Sequence, residues 1–243
     1  MDITLLINSI LTLGRGIPLT LLLTFASLVI ALVLAVPLAF LRASPAKWLS
    51  LPVLAYTYVF RGTPLLVQLF LIYYGLGQIG FIRSSVAWIL LREPFWCCLL
   101  ALALNGAAYA TEIFRGGIQA VSPGVVEAGE SIGMTPLQIK RRIVFPIAFR
   151  SVLPSYANEV IGMLKASSLA STVTLLEITG LSRKLVAETF APYEIFIAAG
   201  LLYLALTFGV TSAFHRLEGH LAGAPRVKTR PDKVFFRQVR HGQ

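Results

Sequence analysis

The chain has 243 residues, of which 56% are apolar and only 13% charged, and its mean hydropathy is +0.77. A soluble domain of this length cannot bury that much apolar surface, so an integral membrane protein is expected. The formal net charge of +10 comes without the interleaved aromatic and basic residues of single-strand binders, which removes nucleic acid as a partner.

A bilayer core needs roughly 20 residues of helix, and the apolar blocks are read against that length in chain order. Ile17–Leu41 is a clear span, too long for a signal-peptide core and without a convincing cleavage site, so it stays in the mature protein. A shorter apolar piece, Leu49–Phe60, follows. The run Arg61-Gly62-Thr63-Pro64 then interrupts it before a second span at Leu65–Ile82. From Leu49 to Ile82 the stretch is too long for one untilted helix at about 1.5 Å per residue, so a break is expected. Broken helices in transporters free backbone groups that line a cavity. Arg61 either attracts a carboxylate there or marks only the interfacial start of a span.

The third span is Phe95–Ile113. Its Asn105, Gly106, Ala107 and Ala108 suit close helix contact. Tyr109, Glu112 and Arg115, at spacings of i, i+3 and i+6 near its end, suit capping or interhelical pairing. Cys97 and Cys98 sit inside this span as small apolar residues. His215, His220 and His241 lack partners at metal spacing, so no metal site is expected.

Glu127–Pro146, reading EAGESIGMTPLQIKRRIVFP, is a polar island between apolar runs. A segment that stays in water while both neighbours enter lipid is a loop held against the membrane, placed to touch something soluble. Glu127–Ile132 suits a short helix, Gly133 a left-handed stop, Thr135 a cap, and Pro136 the first turn of a second helix whose Lys140, Arg141 and Arg142 approach the membrane surface.

The fourth span, Ile143–Leu164, is the most polar. Charged groups at that depth face a cavity or each other, so Asn158, Glu159 and Lys165 should point inward. Counted from Arg150, Glu159 lies about 13 Å deeper, near the bilayer middle. Two readings of Glu159 stay open. It receives the ammonium or guanidinium of a solute, with Asn158, Ser167 and Ser168 nearby, or it makes a structural pair with Lys165 or a dimer contact. Phe190–Phe214 is the fifth span.

Orientation follows from the basic residues, which short loops retain on the cytoplasmic side. With the N-terminus outside, 14 of the 21 Lys and Arg fall inside, five outside (Arg15, Arg83, Arg92, Arg183, Lys184), and Arg61 and Lys165 in or near spans. The expected organisation is a membrane domain over residues 1–221 with a cytoplasmic loop at about 116–142, and a basic cytoplasmic tail at 222–243 lying on anionic headgroups. No G-x-x-x-x-G-K-[ST] occurs, so any nucleotide acts on another subunit.

Three runs carry a resemblance: Arg61-Gly62-Thr63-Pro64-Leu65-Leu66-Val67-Gln68-Leu69-Phe70, Ala108-Tyr109-Ala110-Thr111-Glu112-Ile113-Phe114-Arg115-Gly116-Gly117-Ile118, and Glu127-Ala128-Gly129 with Gly133. Together the chain resembles the permease subunits of ATP-binding-cassette importers for polar amino acids, from about Gly16 to Phe214. The resemblance implies an all-α, five-span permease of the type I importer fold in the bacterial inner membrane. It also implies a second permease chain, identical or related, two ATP-binding subunits that hold ATP and Mg, and a periplasmic solute-binding protein. The permease itself is then no enzyme.

In that family the elbow enters a cleft of the ATPase, with Glu127, Ala128 and Gly129 on its first helix and Gly133, Thr135 and Pro136 at its bend. The chain departs from the family at Gly129, where Ala is common, and at Phe145, where Leu is commoner; Gly costs a helix about 1 kcal/mol against Ala. The expected cargo is a polar amino acid of basic type, or alternatively an opine or short peptide. A channel, an exporter or a scaffold without a solute path are the rival classes.

Overall fold

The computed structural model describes residues 2–221, with side chains through residue 216; the basic tail expected from residue 222 lies outside the described residues. All regular structure among the described residues is helical. Helix α1 (Ile3–Gly14) starts under the Asp2 carboxylate, which accepts the Thr4 and Leu5 N–H groups at 2.9 and 3.2 Å. It is followed by α2 (Ile17–Arg42), α3 (Lys47–Gly62) and α4 (Leu65–Phe70), the last extended by a π turn and a 3-10 turn to Gln78. The short α5 (Gly80–Arg83) and α6 (Trp88–Leu91) lead to α7 (Pro94–Gln119).

The elbow comprises α8 (Pro123–Ser131) and α9 (Pro136–Ile139). A π turn, Lys140–Val144, joins α9 to α10 (Phe145–Ala166), and a 3-10 turn, Ser167–Val173, leads to α11 (Ile178–Thr189) and α12 (Pro192–Leu221).

Three helices, α2, α7 and α12, are each long and apolar enough to cross a membrane. Two bent pairs bring the number to five: α3 with the α4 run, bent by 104°, and the Pro136–Val173 run with α11, bent by 47°. Counting each bent pair as one crossing matches the five expected spans, with altered boundaries. The second is a composite in which the Leu49–Phe60 piece supplies the longer helix. Its break is placed by Pro64, which has no N–H and forces Thr63 into an extended conformation (φ −117°, ψ 146°). The fourth begins at Pro136, seven residues before the apolar block, because the cap at Thr135 starts the helix on the polar side. The fifth begins at Pro192, since Phe190 adopts a left-handed conformation (φ 56°) that ends α11. Neither α1 nor α11 was expected.

The core is built on α2, α7 and α10. Leu23, Leu28 and Ala35 of α2, Leu102 and Phe114 of α7, and Val152, Tyr156 and Met163 of α10 are buried together. Small residues let the backbones approach. A Cβ on Gly106 would stand 3.4 Å from the Ala31 Cβ and collide with Met163, and one on Gly117 would strike Val152. Helix α2 runs from one end of the molecule, where Ile17 packs with Leu13, Ile178 and Ile195, to the other, where Phe40 packs with Val121, Ile139 and Val144 of the elbow.

Candidate functional site

The elbow is built by local chain chemistry. Gly133 takes φ 80°, its N–H bonds to the Glu130 carbonyl at 2.9 Å, and the Met134 N–H reaches the Gly129 carbonyl at 3.1 Å, which together close the end of α8. Thr135 and Gln138 form a reciprocal capping box: the Gln138 N–H donates to Thr135 Oγ1 at 3.4 Å, and the Thr135 N–H donates to Gln138 Oε1 at 2.9 Å. Pro136 occupies the first helical position. Gly129 is buried, and a Cβ there would come within 2.8 Å of Ile143 Cδ1. Glycine at 129 therefore lets α8 close onto the π turn, a packing gain that offsets its helix cost.

Glu127, Ala128 and Glu130 are exposed on the outer surface of α8. Beside them stand Ile132 and Leu137, at 78% and 74% exposure, on either side of the bend. Sequence reasoning gave these two no role. Two large apolar side chains held out of a polar segment are the available signal for a protein contact.

At mid-depth the helix break meets α7. The carbonyls freed at the break are taken by amides: Gln68 Nε2 donates to the Phe60 carbonyl at 2.8 Å and the Thr63 carbonyl at 3.0 Å, and Asn105 Nδ2 donates to the Phe60 carbonyl at 3.1 Å and to Gln68 Oε1 at 3.0 Å. The Thr63 hydroxyl turns back to the Val59 carbonyl at 2.8 Å. This pair of amides satisfies backbone that lipid would leave unpaired. Gln68 was overlooked because an amide four residues past a proline has no sequence signature of its own.

Arg61, on the last turn of α3, lies with its guanidinium carbon 5.1 Å from the centroid of the Tyr109 ring. Both line a cavity of about 370 Å³ with Thr57, Tyr58, Gly62 and Glu112. Glu159 is close by: its Oε1 would stand 4.0 Å from a Cβ on Gly106, the thirteenth of the 26 residues of α7, so the carboxylate is level with the helix middle. Glu159 is half-buried. Among the described residues nothing hydrogen-bonds to it or pairs with it at salt-bridge distance, and no Glu159–Lys165 ion pair exists.

The expected solute-facing set does not form one site. Six residues of helix rotate Lys165 by about 240° from Glu159, and Lys165 lines a different cavity, of about 320 Å³, with Ser168, Thr179, Gly200 and Tyr203. Ser167 is fully buried and donates to the Leu164 carbonyl at 2.7 Å. Asn158 is exposed beside Glu159.

Two other carboxylates in the spanning region are saturated. Glu112 accepts from Arg115 at 2.6 Å, Arg42 at 3.2 Å and the Thr57 hydroxyl at 3.1 Å, joining α2, α3 and α7 near the elbow. Arg115 also donates to Gln119 and Arg42 to Ser50. Of the glycines that follow, Gly117 packs on α10 and Gly116 faces open space. Glu177, unremarked in the sequence, is fully buried at the opposite end, where it takes the Thr179 and Gly180 N–H groups at 2.7 and 2.8 Å and the Tyr203 hydroxyl at 2.8 Å. A carboxylate two and three residues before free helix N–H groups is a cap signal that was there to be read.

Residues 27–222 match the family model described as the inner membrane component of binding-protein-dependent transport systems. The chain belongs to that family. This permease is 50% identical over 212 residues to the nopaline transport system permease protein NocM of Agrobacterium fabrum, covering 87% of this chain and 88% of the relative. It is 39% identical over 204 residues to the histidine/lysine/arginine/ornithine transport system permease protein HisM of Escherichia coli K12, covering 84% and 86%. Among solved structures, an amino acid ABC transporter crystallised with histidines superposes with a TM-score of 0.79 at 33% identity, over 90% of this chain and 99% of that one. The MetNI methionine ABC transporter, in inward-facing form, superposes with a TM-score of 0.71 over 86% and 96%; at 19% identity it shares the fold alone. The permease is thus a multi-pass inner-membrane protein with the type I ABC importer fold. As such a component it works with a solute-binding protein and an ATP-hydrolysing partner.

Proposed function

We propose that the permease carries a basic amino acid, or an opine derived from arginine, inward across the membrane, driven by ATP hydrolysis on a separate subunit that holds ATP and Mg. The observation that carries this reading is Glu159: a half-buried carboxylate at mid-depth, beside a helix break, with no hydrogen-bond or salt-bridge partner among the described residues. A membrane carboxylate left unpaired is costly unless a cation arrives. The relatives' names, which include nopaline, octopine, arginine and histidine/lysine/arginine/ornithine, favour a cationic cargo, and the nopaline and octopine permeases favour the opine alternative.

In this reading the N-terminus faces the periplasm and the elbow, about residues 116–142, faces the cytoplasm. Glu127 and Ala128, with the exposed Ile132 and Leu137, meet an ATP-binding subunit, while Gly129, Gly133, Thr135 and Pro136 hold the bend rigid so that its displacement reaches α10. Two ATP-binding subunits, a second permease chain and a periplasmic binding protein complete the assembly.

Uptake into proteoliposomes tests the cargo site. Glu159→Gln is expected to lose at least about tenfold in transport of a basic solute, the loss of one charged contact; unchanged affinity and rate would remove Glu159 from the path. A membrane-impermeant thiol reagent tests the topology: Glu130→Cys should label only after the membrane is opened.

A further inference from the structure

We propose that Arg61 is a resident stand-in for the cargo's cationic group: its guanidinium rests over the Tyr109 ring, near Glu159, while the path is empty, and gives up that place when a cationic solute enters. This rests on the reading that Glu159 receives the cation.

Three observations meet at Arg61. Its guanidinium carbon lies 5.1 Å from the Tyr109 centroid, the arrangement by which aromatic faces hold cations. It borders the 370 Å³ cavity and is exposed to it, so a solute in that space reaches the same ring. Tyr109 lies one helical turn from Gly106, where a Cβ would stand 4.0 Å from Glu159 Oε1, so Arg61 is held near the carboxylate, and no salt bridge joins the two. The other carboxylate on this wall, Glu112, is taken by Arg42, Arg115 and Thr57 and is not free to bind either Arg61 or cargo.

The position of Arg61 in the fold makes the exchange mechanically reasonable. It sits on the final turn of α3, next to the 104° break, where the chain direction can change without breaking a helix. A carboxylate at mid-depth needs a counter-charge in every state of the cycle. Arg61 supplies it when cargo is absent, and only a solute bringing its own positive charge makes Arg61 dispensable. A neutral amino acid of the same size would displace Arg61 at the cost of leaving Glu159 uncompensated. Selectivity for cations then comes from the carboxylate beside the place Arg61 vacates, and every solute's affinity is reduced by the fraction of time Arg61 holds that place.

The test is equilibrium binding of L-arginine to the assembled transporter in lipid nanodiscs, with L-glutamine as the neutral control. Arg61→Gln should tighten L-arginine binding by about tenfold, Arg61→Lys should tighten it less, since an ammonium stacks on tyrosine more weakly than a guanidinium, and Arg61→Gln combined with Glu159→Gln should show no gain. L-glutamine, which must displace the same guanidinium, should gain as well in Arg61→Gln and remain the weaker ligand. Weakened or unchanged L-arginine binding in Arg61→Gln, in assemblies that melt with the wild type, overturns the proposal, and the Arg61→Lys series decides the matter if Arg61→Gln fails to assemble. Wild-type uptake of L-arginine, L-lysine, L-histidine and octopine is measured alongside. If all four fail to be taken up, the cargo reading falls and this inference with it; if uptake is seen and Arg61→Gln fails to tighten binding, the cargo reading stands and only the role of Arg61 is lost.

Discussion

Glu112 and Glu159 lie on neighbouring helices, both largely withdrawn from solvent, and differ in what surrounds them. Glu112 is ringed by two guanidinium groups and a hydroxyl from three helices; Glu159 has none of these. The difference separates a carboxylate that ties three helices together from one with no hydrogen bond or salt bridge among the described residues. Burial and charge alone would have ranked the two alike. The count of satisfied lone pairs divides them.

Substitutions sharpen that contrast. The largest stability loss is expected for Glu112→Ala, which strands Arg42 and Arg115 at 20% and 27% side-chain exposure. Leaving such charges unpaired costs about 3 kcal/mol, to be read from unfolding of the purified protein in detergent and from loss of assembled transporter. Next comes Glu177→Gln. The amide keeps the shape, but it loses charge-assisted bonds to two backbone N–H groups and to Tyr203, for about 2 kcal/mol, measured by the same unfolding curve. Smallest is Glu159→Gln, expected to shift stability by no more than about 0.5 kcal/mol, while under the proposed function its assembled transporter loses uptake of a basic solute. A Glu159→Gln protein that unfolded as readily as Glu112→Ala would erase the distinction.

The elbow was readable because its structure is local. Gly133, Thr135 and Pro136 act on backbone within four residues of themselves, so their sequence spacing already contains the turn. The partners of Glu112 were only half readable. Arg115, three residues on, follows from helix geometry, but Arg42 lies 70 residues away. The residues expected to face the solute were least readable. Glu159 and Lys165 share one helix and one chemical character, and an apolar run says nothing about which neighbour covers which side.

By itself the sequence determined an all-helical membrane protein, its apolar blocks, the position of the helix break and the form of the elbow, because hydropathy, proline and capping act over a turn or two. Only the tertiary structure decided which charges cancel. Electrostatic pairing in a membrane depends on separations of a few ångströms between helices distant in the chain, and packing at Gly106 and Gly117 sets those separations. That is why Glu159, so like Glu112 when read as a letter, is the one without a salt bridge or hydrogen bond among the described residues.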